Sequence, residues 1–278
     1  MIARRGALLA AAAAPALLGG LAARPASALS LPASFSQGQY VAGRAPPGTR
    51  LSLDGRAVRV SPEGHFAFGF RRDADAEAAL AVEEPGRPPE RRRLDVQRRE
   101  WAVQRLTGLP ERMVTPDEAA LARIRAEQAR LNAARAVETR APHFAGGLDW
   151  PARGRISGVF GSQRVLNGQP RAPHLGLDVA GPVGTPVATC APGRVTLAEG
   201  DLYFTGGTVV VEHGHGIATL YAHLSRLDVA EGEEIGRGRV IGLMGATGRV
   251  TGPHLHLGLF WGATALDPAT ALPPLRGE

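Results

Sequence analysis

Residues 207–223 read GTVVVEHGHGIATLYAH, and this stretch decides the fold class. Residues 207–212 are rich in β-branched side chains, 213–216 are a Gly-interrupted turn, and 217–223 are apolar again. Two such runs around a short turn read as an antiparallel β-hairpin. The same rhythm continues outward. From Trp150 onward Gly or Pro interrupts the chain every few residues, 232–238 form another turn, and Val240–Met244 is a further strand. The chain's 36 Gly and 22 Pro suit an architecture of many turns. Residues 150–278 therefore read as β structure with frequent turns.

The N-terminal half is also β-rich. Arg50–Leu53 and 57–60 flank Asp54-Gly55, a hairpin signal. Pro62-Glu63-Gly64 makes another turn, and 65–70 then alternates so that Phe66, Phe68 and Phe70 share one face. Residues 80–82 and 94–96 add strands, giving a small β-sandwich, immunoglobulin-like in size, over 29–100. His65 reads as a solvated strand residue. A helical connector and linker fills 101–149. Thr115 as N-cap, Pro116 at N1 and Glu118 at N3 form a capping box. Leu121, Ile124, Gln128, Leu131 and Ala134 follow at helical spacing to about Val137, and 139–149 reads as linker.

Residues 1–28 read as a signal peptide. Arg4-Arg5 supply the positive region, 7–21 the apolar one and Ala26-Ser27-Ala28 the cleavage site, which makes Leu29 the expected mature N-terminus. The general secretory route fits better than the twin-arginine one. No later segment approaches 18 consecutive apolar residues, so no membrane span is expected after cleavage. The expected location is across the inner membrane, in the periplasm if the source is Gram-negative.

The net charge is +6, and every basic residue is Arg. By count, 29–144 carry 19 Arg against 15 acids, and 145–278 carry 10 against 11. The half that holds most of the histidines is thus near neutral, which argues against a nucleic-acid partner. The single cysteine, Cys190, reads as a small buried apolar residue.

Six of the eight histidines fall between 174 and 256. His174 and Asp178 lie in HLGLD, His223 in YAHLS, and His254 and His256 in PHLHL. Gathered His and Asp side chains suit a zinc ion, and three protein ligands with one open position make a catalytic zinc site. His254 and His256 on a strand share one face, with Cα atoms about 6.6 Å apart. His174 and Asp178 on a straight strand would stand about 13 Å apart, so the chain must bend between them, and Pro173 and Gly176 make that bend plausible. His213 and His215 also form H-x-H but read as turn residues. Arg164 and Asn167 read equally as substrate contacts or loop surface. Trp150, Phe160 and Trp261 read as core or cleft wall. The chain has no H-E-x-x-H, so the helix-borne glutamate base of the common zinc proteases is absent.

Residues 150–268 resemble the lysostaphin-type zinc endopeptidases of the cell wall, the LytM-domain family. GRISGVFG from Gly154, HLGLD from His174, GTPV from Gly184, YAHLS from Tyr221 and GATGRVTGPHLH from Gly245 carry the resemblance over about 120 residues. It implies a small antiparallel β-sheet core with a cleft across one face. It also implies His174, Asp178 and His256 as ligands of Zn2+, the only cofactor expected, and His223 and His254 as the catalytic pair beside the attacking water. One of that pair takes the water proton. The other stabilises the oxyanion or protonates the leaving amine, and either assignment stays open. The implied substrate is the peptide part of peptidoglycan. The full expectation is a mainly β chain: an N-terminal small β-sandwich, a connecting helix and a C-terminal antiparallel β-sheet LytM-type peptidase domain acting as a secreted metalloendopeptidase. A non-catalytic wall-binding protein or amidase activator, and a zinc peptidase acting on proteins, are the rivals. The domain order also raises the expectation that residues before 145 position the enzyme or mask its zinc.

Overall fold

The hairpin of Gly206–Glu212 and Ile217–Leu227 stands inside a ten-stranded sheet. Its main path runs Glu234–Ile235, Gly193–Leu202, Gly206–Glu212, Ile217–Leu227, His254–Trp261, Leu177–Ala180 and Arg155–Gly158, antiparallel at every step. Pro186–Ala188, Val240–Met244 and Thr264–Leu266 pair onto its flanks. The computed structural model describes residues 29–274, so the expected signal peptide over 1–28 lies outside the described residues. The chain is mainly β, as the turn-rich sequence predicts. Val209, Val210, Val211, Ile217, Ala218 and Tyr221 are all fully buried, so both faces of the central hairpin are covered. That explains why its sequence is a continuous apolar run without polar alternation. No helix among the described residues is long and apolar enough to cross a membrane.

Residues 29–100 form two sheets. One has five strands in the order Phe35–Ser36, Glu90–Gln97, Glu77–Glu83, Arg50–Leu53 and Arg56–Val58. The other pairs Tyr40–Arg44 with His65–Gly69. The alternating phenylalanines are buried together. Phe66 stacks on Phe68, and Phe68 meets Phe70 edge-on, with centroids 6.1 and 5.8 Å apart. The hydrophobic core does not stop at this region. Phe68 reaches Trp261 at 6.5 Å between centroids, and the Arg56 guanidinium lies 3.5 Å from the centre of the same indole. Arg99 pairs with the buried Asp267 at 2.8 Å, and the Tyr40 amide donates to Thr270 Oγ1 at 2.9 Å. The two halves share one continuous core.

The long helix runs Glu118–Arg135. Its N-cap is Asp117, whose carboxylate accepts from the Ala120 amide at 2.8 Å, in place of the expected Thr115. Thr115 instead closes a preceding short helix, Glu111–Val114, which the sequence pattern did not reveal. Asp caps as well as Thr does, so the cap slides two residues without loss. Only Leu131 and Ala134 of the expected apolar stripe are buried, against Leu197, Leu202, Val210, Leu220 and Phe260. Leu121 is exposed, so the helix rests on the sheet by its C-terminal half. The stretch expected as linker is packed too: Phe144 is 2% exposed, and its amide donates to His213 O at 3.0 Å.

Candidate active site

Three adjacent strands set the site. His256 lies opposite Asp178 on one side and Ala222 on the other, and His254 lies opposite Ala180. Directly opposed residues point to the same face of a sheet, as do residues two apart. Asp178, His254 and His256 therefore face one cleft by pairing register alone, and the alanines leave the imidazoles room.

His174 arrives from outside the strands. The chain bends at Gly176 before the strand Leu177–Ala180 begins, which supplies the turn that the four-residue spacing requires. A side chain at Gly176 would place a Cβ 2.4 Å from His256 Cε1 and 2.6 Å from Leu257 O. Gly158 is equally constrained, since a Cβ there would meet Asp178 Oδ2 at 2.3 Å. The glycines of HLGLD and GRISGVFG are thus the space in which His256 and Asp178 sit. Gly176→Ala is expected to displace the His256 ring and weaken metal binding about 10- to 100-fold, as losing the support of a metal ligand does. Competition with a chromogenic zinc chelator measures this, and an unchanged affinity refutes it.

His174 Nε2, Asp178 Oδ1 and His256 Nδ1 form a triangle with sides of 3.0, 2.8 and 2.9 Å. The His174 Nδ1 hydrogen bonds Val159 O at 3.1 Å, which turns the Nε2 lone pair toward the other two donors. With both rings neutral, one proton at most serves three facing acceptors. A shared cation removes the remaining repulsion. These three residues are also the group of side chains close enough to hold one ion among the described residues. Donors of the N, N and O types at this spacing fit zinc, whose ligands lie roughly 3 Å from one another. Burial raises the Asp178 carboxyl, but its close contacts with His174 and His256 outweigh it and hold the group well below the usual range. Burial pushes His256 down to about 4, against the pull of Asp178. Arg164 Nη2 donates to the other carboxylate oxygen, Asp178 Oδ2, at 3.3 Å. The sequence left Arg164 between substrate contact and loop surface; the structure places it beside the acidic corner of the triangle.

His223 and His254 lie alongside, with ring centroids 4.7 Å apart, and His223 is 6.1 Å from the His256 ring. Regular alternation would send His223 to the face opposite its neighbour Ala222. A left-handed φ of 65° at His223 breaks the alternation and brings the ring into the cleft. Its Nδ1–H donates to Thr247 O at 2.8 Å, and His254 Nδ1–H donates to Gly252 O at 2.9 Å. Each Nδ1 is thus committed to a backbone carbonyl, which leaves Nε2 as the ring nitrogen on the cleft side. Burial, then the charges of His256 and His254, push His223 down to about 3, so it is neutral at ordinary pH.

The second H-x-H is elsewhere. His213 and His215 occupy the hairpin turn as expected, yet both are buried. His213 bonds Pro192 O and Thr219 Oγ1 at 2.8 and 2.7 Å, and His215 Nε2 donates to Arg140 O at 3.1 Å. The buried Glu212 carboxylate accepts from Thr139 Oγ1 at 2.6 Å and from the Gly216 amide at 3.0 Å. These groups tie the turn to 139–144 and take no part in the site. His65 also lies outside it. Asn167 is structural, its amide exchanging hydrogen bonds with both the N–H and C=O of Leu109.

That last contact belongs to a strap across the cleft, which the sequence did not reveal. Val103–Leu106 is a strand, paired in parallel with Gln163–Leu166. Beyond it, Arg249 Nη1 donates to Met113 O at 3.3 Å and Arg171 Nη2 to Val114 O at 2.9 Å. Gln104, Leu106 and Leu109 line the same cavity as Asp178, His223 and His254, and the cavity holds about 110 Å³. Ligand sites typically run to about 300–1,000 Å³, so the space between the strap and these residues is narrow.

The profile of peptidase family M23 matches residues 172–268, which include His174, Asp178, His223, His254 and His256. Residues 172–268 form a peptidase family M23 domain. The lysostaphin-type resemblance of the sequence is borne out. A peptidoglycan DD-endopeptidase from Vibrio cholerae, ShyA, is 48% identical over 103 residues, covering 37% of this chain and 24% of that protein. A DD-carboxypeptidase/endopeptidase from Neisseria meningitidis, Mpg, is 51% identical over 83 residues, covering 30% of this chain and 19% of that protein. The chain thus spans about a quarter or less of these relatives. A crystal structure assigned to peptidase M23 from Pseudomonas aeruginosa superposes with a TM-score of 0.65 at 29% identity, covering 84% of this chain and 93% of that one. The likeness therefore extends beyond the M23 domain into the N-terminal half.

Proposed function

We propose that this chain is an exported zinc metalloendopeptidase that hydrolyses the peptide cross-links of bacterial peptidoglycan. The observation that carries this reading is the pairing of a three-donor triangle with two neighbouring imidazoles held in one tautomer. His174, Asp178 and His256 would hold zinc. When bound, the ion supplies a Lewis acid that polarises the scissile carbonyl and activates water near neutral pH. His223 and His254 each turn Nε2 to the cleft, with Nδ1–H fixed on a backbone carbonyl. One takes the proton of the attacking water, and that proton, delivered directly or through the other ring, ends on the departing amine. Arg164 holds Asp178 in place from its outer oxygen. The names of the relatives support peptidoglycan as substrate. The leader-like residues 1–28 support action in the periplasm.

The test is mass analysis of fragments from purified peptidoglycan treated with the zinc-loaded mature protein, 29–278. Conversion of cross-linked dimers to monomers is expected, and the fragment masses name the bond. Asn167→Ala, which frees Leu109 and loosens the strap, runs alongside. Intact dimers with both proteins overturn the assignment.

A further inference from the structure

Three guanidiniums gather at one end of the cleft. Arg164 lines the cavity beside Asp178, Arg249 lines it beside Val250 and Thr251, and Arg171, whose amide donates to Arg164 O at 2.9 Å, is close enough for its charge to act on Arg249. Arg164 has Asp178 as a partner. Among the described residues, no carboxylate pairs with Arg171 or Arg249. Burial, then the neighbouring charges of Arg164 and Arg171, push Arg249 down to about 10. Partly buried positive charge without a counter-ion is costly, and guanidinium forks suit carboxylates. What the pair holds instead is informative. Arg249 and Arg171 take the carbonyl oxygens of two successive strap residues, Met113 and Val114. Arg171 also holds Gln169 Oε1 and Pro170 O, so the strap carbonyls are the acceptors that the two arginines take from successive residues of one segment. Phe204, with the Arg249 guanidinium 4.1 Å from its ring centre, helps to fix the orientation.

We propose that Arg171 and Arg249 form a subsite for a free carboxylate of the peptide substrate, and that the Met113 and Val114 carbonyls occupy it until such a peptide displaces them. This deepens the peptidase reading and rests on it. Charged carboxylate oxygens outcompete neutral carbonyls for the same donors. An anionic peptide therefore both gains the arginines and opens the strap, whereas a neutral peptide meets a closed cavity.

The probe is the cross-linked peptide dimer released from peptidoglycan, used as isolated and after chemical amidation of its carboxylates. Wild-type, zinc-loaded full-length protein is expected to cleave the acid form about 10- to 100-fold better, chiefly through KM, the size of a lost charge-assisted hydrogen bond pair. In Arg171→Gln and Arg249→Gln the acid-to-amide ratio falls toward one. Hydrogen exchange is the second readout and needs no turnover. The acid dimer should speed exchange over 103–114, and the amidated dimer should leave it slow. Equal cleavage of both forms, with equal exchange, overturns the subsite while leaving the peptidase assignment standing. Strap opening by the acid form alone, with neither form cleaved, supports the subsite and overturns the peptidase assignment. No cleavage and no strap response to either form overturns both.

Discussion

Replacing His256 by alanine is expected to abolish zinc retention and to slow dimer cleavage by at least about 1,000-fold. Metal catalysis of this type supplies several kcal/mol of charge stabilisation, and about 4 kcal/mol corresponds to that factor. The argument rests on geometry. His256 Nδ1 is one corner of the closed triangle, 2.8 Å from Asp178 Oδ1 and 2.9 Å from His174 Nε2. Removing it leaves two ligands, His174 and Asp178, 3.0 Å apart with the third corner of the triangle gone. Zinc content after dialysis, measured by elemental mass spectrometry, checks the first part, and initial rates on isolated dimers check the second. Retained zinc with full activity would remove the triangle from the mechanism. His213→Ala is the matched control in the other H-x-H. It should keep zinc and cleavage but lower the melting temperature, because it strands buried polar partners worth about 1–3 kcal/mol.

His223→Ala is expected to cut the rate about 100- to 10,000-fold while zinc content stays near one per chain, the range usual for loss of a general acid or base. His223 touches none of the three triangle atoms at hydrogen-bond distance, and its own fixed contact is Nδ1–H to Thr247 O. Alanine at a φ of 65° keeps the backbone strain that histidine carries. His223→Gly removes that strain and should be at least as stable as the alanine variant, yet equally slow. A glycine variant that recovered activity would show that the residue serves the backbone and not the reaction. His254→Ala offers the complementary comparison, since its ring presents the same Nε2 from the neighbouring strand. If both single variants and the double variant fall to a similar rate, the two rings act as one unit.

Much of the site was legible because it follows from strand geometry. H-x-H on a strand puts His254 and His256 on one face, and register with Leu177–Ala180 adds Asp178. The bend that His174 requires falls at Gly176, one of the two residues, with Pro173, that the spacing argument marks. Other features depend on contacts distant in sequence and leave no local trace. The left-handed turn at His223 has no glycine or asparagine to announce it. Val103–Leu106 reads VQRL, too polar for a strand by pattern, and exists because Gln163–Leu166 pairs with it. The burial of His213 and His215 depends on Thr139, Arg140 and Pro192, which a reading of the turn alone does not bring near.

The core that runs without a seam from Phe66 and Phe68 to Trp261 and Leu266 bears on how such a chain can be taken apart or recombined. Each of these side chains is at most 6% exposed, and burial of each stabilises the fold by roughly 1.5–3 kcal/mol. A chain cut near 145 would bare an oily face on the very strand that begins with His254 and His256. The N-terminal half is therefore better regarded as the missing wall of the enzyme than as a detachable module. Swapping it between relatives would require the joint itself, Arg56 over Trp261 and Arg99 against Asp267, to travel with it.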